Sequence, residues 1–431
     1  MLDRGARLLG AADPKLDRAR AAALAIGCAL LFWQYDGAAV DWFFGAIVVL
    51  SAAMLLQRRV AFELSWPHPL VLAFLAVTVA ATLLARGSFI ALAITVYLVL
   101  ASLAFASILR AHPDLTRWVR FGIVIAATLT LLFVVVGWLG RHFGVEPLYW
   151  LTYDGFRSRG LFKDPNVAGG FLAVSYPIVA AYVIRRSKLR LPVLLLVTLA
   201  IAVGVAMSFS RMALVVFALG VLGVMIALPL IGQRRLFAGF LATFVLAGLV
   251  AGGVALRIGL SELPLWRYQL QAYDEAGRFV VWGYAGDMFR DAPLGTGAGS
   301  FEPRAEAYFN AEIARENASV DTANVTVTTS AHNTYLRVLV ESGIIGFLAF
   351  MAFIVSLLVI AIRSLARDNW EWPLAFVLVL VAGLAIDTLH WRELWVLAAV
   401  IGGSSVAVRR GSRQRAVATA PTSSTGSPAP S

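Results

Sequence analysis

Runs of about twenty apolar residues recur along the whole chain, and each is long enough to cross a bilayer core of about 30 Å. No other feature constrains the fold so tightly, because in lipid every backbone polar group must be satisfied internally and only helices and closed barrels span. Twelve such runs are recognised: 20–35, 39–56, 69–85, 88–109, 119–140, 166–184, 191–208, 212–231, 236–256, 333–362, 372–388 and 393–408. Sixty per cent of the 431 residues are apolar and the mean hydropathy is +0.80, which exceeds what a soluble domain needs. The expectation is an all-α integral membrane protein with about twelve transmembrane helices. The first run follows a basic stretch (Arg4, Arg7, Lys15, Arg18, Arg20) and resembles a signal peptide. It lacks a small-residue cleavage site before "QYDGAAVDWFF", so it is kept as a signal anchor. The single cysteine, Cys28, lies inside that span and excludes an intramolecular disulfide.

A net charge of +11 would suggest a nucleic-acid partner in a soluble protein; here its distribution carries the information. With both termini cytoplasmic, the inner loops hold 22 of the 36 Lys and Arg residues, including every short basic cluster, and the positive-inside rule is satisfied throughout. The tail 411–431 is rich in Pro, Ser, Thr and Ala and reads as disordered. This divides the chain into 1–256 (nine spans and a medium outer segment, 141–165), a large outer loop 257–332, three spans in 333–410, and the tail.

Fourteen basic residues face outward, and all but Lys163 are arginine. Each could pair with an outer carboxylate such as Asp154, Asp164, Asp287 or Glu306. Alternatively they build an anion site, since a guanidinium fork grips diphosphate oxygens bidentately and never loses its charge. Within the large loop, 265–292 has helical periodicity, with Phe279, Trp282, Ala285, Met288 and Phe289 as an interfacial face. The run "PLGTGAGSF" (293–301) is a tight turn, and "EPRAEAYFNAEIARENA" an exposed helix. "GTGAG" is not a dinucleotide fingerprint, because no βαβ unit surrounds it; its glycines serve a compact turn or offer amides to a ligand.

Four blocks carry a family resemblance. "RGLFKDPNVAGGFLA" (159–173), "MSFSRMALVVF" (207–217), "GRFVVWGYAGDMFRDAPLGTGAGSF" (277–301) and "AHNTYLRVLVESGIIG" (331–346) are similar, in order, to motifs of the O-antigen ligase/polymerase superfamily of bacterial membrane glycosyltransferases. The resemblance implies a GT-C-like helical fold with one large periplasmic loop containing short helices, in the inner membrane, with the active site facing the periplasm. It also implies transfer of a polysaccharide from undecaprenyl diphosphate to a hydroxyl, with membrane lipids as further partners. Polymerases of the superfamily usually carry two sizeable outer loops, and its protein O-oligosaccharyltransferases a larger C-terminal outer region. One large loop before the tenth span is closest to the ligase, whose acceptor is lipid A–core oligosaccharide.

The residue chemistry agrees independently. Glycosyl transfer needs a base for the acceptor proton and positive charge for the departing diphosphate. No Asp-x-Asp pair occurs in the chain and no outer cluster has metal-ligand spacing. That leaves arginine for the charge, with no metal or cofactor expected. His332 is the candidate base, its ordinary pKa lying near neutrality; the alternative is a helix-start histidine beside an Asn333 N-cap. Arg211, Arg278 and Arg159 are the candidate diphosphate ligands, with Asn333 and Tyr335 beside the substrate. Tyr335 and Glu341 belong to the same motif and could equally serve packing and charge pairing, with Arg337 as a further supporting residue. Asp387, near His390 and Arg392, is expected to find a partner among the candidate arginines. One base without an evident nucleophile favours inversion. A transporter or flippase remains the reading from another class; against it stand the lack of an internal repeat and the gathering of charge at one face.

Overall fold

A computed structural model describes residues 22–34 (without 24), 41–49 (without 44 and 47), 67–258 (without 154), 276–315, 330–365 and 369–404. The basic N-terminal stretch, Arg58, Arg59, Asp154, the first half of the expected 265–292 helix and the tail lie outside these residues. The fold is helical. In chain order come α1 (His68–Ala85), α2 (Phe89–Ala111), α3 (Thr116–His142), α4 (Pro165–Arg186), α5 (Arg190–Met207), α6 (Arg211–Leu230) and α7 (Arg234–Ile258). They are followed by α8 (Ala276–Asp291), α9 (Phe301–Arg315), α10 (Thr334–Leu365), α11 (Glu371–Ala382) and α12 (Arg392–Ser404). Among the described residues, α1–α6 and α10 are long and apolar enough to cross a membrane.

Helix α4 is the axis of the bundle. Nearly all of its residues are buried, and α3, α5, α6 and α11 pack around it; a helix apolar on every side belongs inside. Asp164 caps it, accepting from the Asn166 amide at 2.6 Å. Around this group α10 packs on α1 and α12 on α2. The last pair runs in parallel: Thr95 meets His390, Ser102 donates to the Trp395 carbonyl and Arg110 to that of Gly402. The medium segment folds as a 3₁₀ helix (Glu146–Leu151) and a two-stranded antiparallel ribbon, β1 (Thr152–Tyr153) and β2 (Arg157–Ser158), resting on α3.

The eleventh apolar run departs from expectation. Its helix α11 stops at Ala382, twelve residues and about 18 Å long, short of the roughly 30 Å core. Residues 383–391 are a loop, not the end of a span, and α12 returns from it. Hydropathy could not separate these, because "GLAIDTLHW" is apolar apart from Asp387, Thr388 and His390.

The two ends of the bundle differ in chemistry. At one end the buried carboxylate of Glu371 is bridged by Arg120 and, bidentately at 2.8 and 2.9 Å, by Arg185. At the other lie α8, α9, the 383–391 loop and the start of α10. There Arg392 grips Asp41 through two bonds of 2.9 and 2.8 Å, and the Tyr97 hydroxyl donates to the Asp41 carbonyl.

Candidate active site

The start of α10 is held by its own motif. Asn333 Oδ1 accepts from the amides of Tyr335 and Leu336 at 3.0 and 3.1 Å, capping the helix. Its Nδ2 donates to the Leu384 carbonyl at 3.0 Å. The Thr334 amide donates to the Gly383 carbonyl, its hydroxyl bonds Ile386 and Thr388, and the Tyr335 hydroxyl donates to the Leu380 carbonyl at 2.7 Å. Apart from the two capped amides, these partners lie between 380 and 388, so the short α11 and its loop act as a seat for α10. His332 comes immediately before the cap, half-buried, with φ of +42°. A non-glycine residue in the left-handed region is uncommon and persists only where its surroundings over-determine it. On its other side, the Ala331 carbonyl accepts from Trp282 Nε1 of α8 at 2.9 Å.

One turn further on, Arg337 links two carboxylates. Its Nε donates to Glu341 Oε1 at 3.2 Å and its Nη1 is ion-paired with Asp387. The partner that Asp387 takes is Arg337, from the same block as His332. All three groups are buried or half-buried, where an unpaired charge would cost several kcal/mol. Glu341 Oε1 also accepts from the Phe301 amide at 3.4 Å, which ties the start of α9 to α10.

The glycine turn explains why α10 is interrupted. Gly343 has φ +66° and ψ −177°, a conformation essentially reserved for glycine, and a Cβ there would stand 2.3 Å from the Leu294 carbonyl carbon. Through the break, the Ile344 amide leaves Val340 and donates to the Pro293 carbonyl. The freed Val340 and Glu341 carbonyls accept from Thr296 and Gly297 at 2.9 Å each. The turn also binds α1, where the Ala298 amide donates to Thr82 Oγ1. These turn amides therefore have protein partners, which is the compact-turn reading. α8 lies over this assembly with Val281, Tyr284, Ala285 and Met288 buried against Phe301, Ala305, Ala331 and Val340. Of the expected interfacial face, Ala285 and Met288 are buried in this cluster, whereas Phe279 is 65% exposed.

The arginines divide by what holds them. Arg211 is the first residue of α6, half-buried, behind the Ser210 cap that accepts from the Ala213 amide. Arg278 lies in the first turn of α8, its side chain outside the described residues. Arg159 folds back on its own segment, donating to the Trp150 carbonyl at 3.0 and 3.2 Å and to that of Lys163. Sequence reasoning gave no role to Arg157. It is buried beneath the 207–211 turn, with Nε on the Ser208 carbonyl at 3.2 Å and Nη2 on Asn166 Oδ1 at 2.9 Å. Among the suggested carboxylate partners, Asp287 pairs with Arg290 at 2.7 Å.

Residues 194–351 match the family model described as O-antigen ligase. Over that stretch the chain is similar to the O-antigen ligase domain, which supports a member of the O-antigen ligase/polymerase superfamily. A search of curated proteins finds no match. The matched stretch runs from α5 into α10 and contains Arg211, Arg278, the glycine turn and His332, so three of the four blocks fall within it. That match, with the long apolar helices, supports a multi-pass membrane glycosyltransferase of the kind that handles lipid-linked glycans.

Proposed function

We propose that this superfamily member is an O-antigen ligase, moving polysaccharide from undecaprenyl diphosphate to a hydroxyl of lipid A–core at the periplasmic face of the inner membrane. His332 takes the acceptor proton as that oxygen attacks the anomeric carbon. The bond from carbon to diphosphate oxygen breaks, and the leaving diphosphate collects on Arg211 and Arg278. A single displacement of this kind inverts the anomeric centre. Asn333, Tyr335, Arg337, Glu341 and Asp387 hold the base in place rather than touching the reacting atoms. Arg159 shapes the 141–165 segment beside the site. The observation that carries the reading is the interlocking of the matched blocks at one end of the bundle: the 331–346 block caps and seats His332, and the 293–301 turn is threaded into the same helix.

Deleting the gene and resolving the host's lipopolysaccharide by electrophoresis tests it. The expected result is complete core without O-antigen, with polymer retained on undecaprenyl diphosphate. Core carrying a single repeat unit would instead identify a polymerase. Because arginine supplies the positive charge in this scheme, EDTA is expected to leave turnover of the purified enzyme unchanged; strict Mg²⁺ dependence would contradict it.

A further inference from the structure

Away from His332, α8 and α9 diverge to leave a groove of about 570 Å³ lined by Tyr284, Asp287, Arg290 and Asp291 from α8, with Tyr308 and two alanines from α9. The two tyrosine rings stack at 5.9 Å and 30°. Tyr284 is buried and serves as backing, whereas Tyr308 is half-buried and presents its edge and hydroxyl to the groove. That hydroxyl donates to Asp291, and the bond raises the phenol above its ordinary pKa, so it stays protonated at neutral pH. Asp287 is occupied by Arg290, and both are largely exposed. Ala307 and Ala311 are small and exposed, which leaves the floor of the groove open.

We propose that this groove is a glycan subsite that holds a hydroxyl-rich stretch of the donor polysaccharide while its diphosphate end reacts. An aromatic ring flanked by carboxylates suits sugar: C–H faces pack on the ring, and vicinal hydroxyls donate to the carboxylate oxygens. Acceptor-rich walls whose one arginine is already paired suit the phosphate-bearing lipid A–core poorly. Trp282, on the opposite side of α8, bonds the residue preceding His332, so the same helix connects the groove with the base. The assignment of the glycan as donor rests on the ligase reading.

The full-length protein in nanodiscs is titrated with fluorescently labelled polysaccharide released by mild acid from the host's own undecaprenyl-diphosphate-linked donor, which carries no core. Tyr308→Ala and Ala311→Trp, which respectively strip and fill the groove, are each expected to weaken binding about tenfold, with unchanged thermal unfolding. Tyr308→Phe keeps the ring and is expected to lose only part of that. In transfer assays KM for the lipid-linked donor rises by a similar factor, while kcat and the KM for lipid A–core stay as in the wild type. Wild-type binding and donor KM in both groove variants would overturn the proposal, as would a rise confined to the acceptor. Wild-type protein that makes no lipid A–core product would sink the ligase reading, and the binding titration would still decide the groove.

Discussion

His332 and Arg211 show what single residues reveal and conceal in such a chain. Their exposure to notice came from cost: a histidine or arginine at the mouth of an apolar span is retained against an insertion penalty. What sequence could not supply was the local setting of each: Arg159 and Arg211 look alike in their motifs, yet Arg159 is folded onto the Trp150 carbonyl and Arg211 is the first residue of α6. Likewise Asn333 and Tyr335, chosen for nearness to the substrate, have their polar atoms engaged by α10 and by the 380–384 stretch. Arg211→Lys and Arg278→Lys keep the charge but lose the planar fork. Each is expected to lower transfer by about 10²-fold, with normal membrane insertion. Transfer rates of both lysine variants beside their yield in the membrane fraction check this; full activity would reduce the arginines to diffuse charge or structure.

Among the elements, α10 depends on the 293–301 turn filling its break, and the turn depends on the break for its amide partners. Gly343→Ala places a Cβ against backbone and demands a glycine-only conformation, a strain of about 1–3 kcal/mol. The expected outcome is a lower melting temperature in detergent and loss of activity, because the start of α10 carries His332. Gly248→Ala, in open space on α7, is the control and should be neutral or slightly stabilising. Differential scanning fluorimetry of the two variants decides the point. The helices themselves were legible: α1–α6 begin and end within about three residues of the apolar runs, since burial in lipid or bundle both demand the same periodless apolarity. The short α11 was not, because an apolar loop packed inside a protein has the composition of a span.

For the whole molecule, the proposed orientation rests on the separation of charge, with Arg120 and Arg185 around Glu371 at one end and the His332 motif at the other. In a Cys28→Ser background, a cysteine at position 310 is expected to react with an impermeant maleimide in intact spheroplasts, and one in the tail only after lysis. The reverse pattern would overturn the topology and the site together. The resemblance to the superfamily was legible because its motifs are short, ordered and mostly placed at helix entries. The interlock of turn, seat and helix was not, since it joins residues that are distant in sequence through backbone atoms that carry no sequence signal. The central claim is that His332 takes a proton from a lipid A–core hydroxyl while the polysaccharide leaves its diphosphate. Its most direct test is reconstituted transfer of labelled polysaccharide from undecaprenyl diphosphate to lipid A–core, measured beside donor binding for the wild type and His332→Gln. The wild type should form the lipid A–core product, and the variant should bind donor equally while turning over about 10²–10⁴-fold more slowly. Near-normal turnover by His332→Gln would leave His332 as a helix-start hydrogen-bonder and contradict the account.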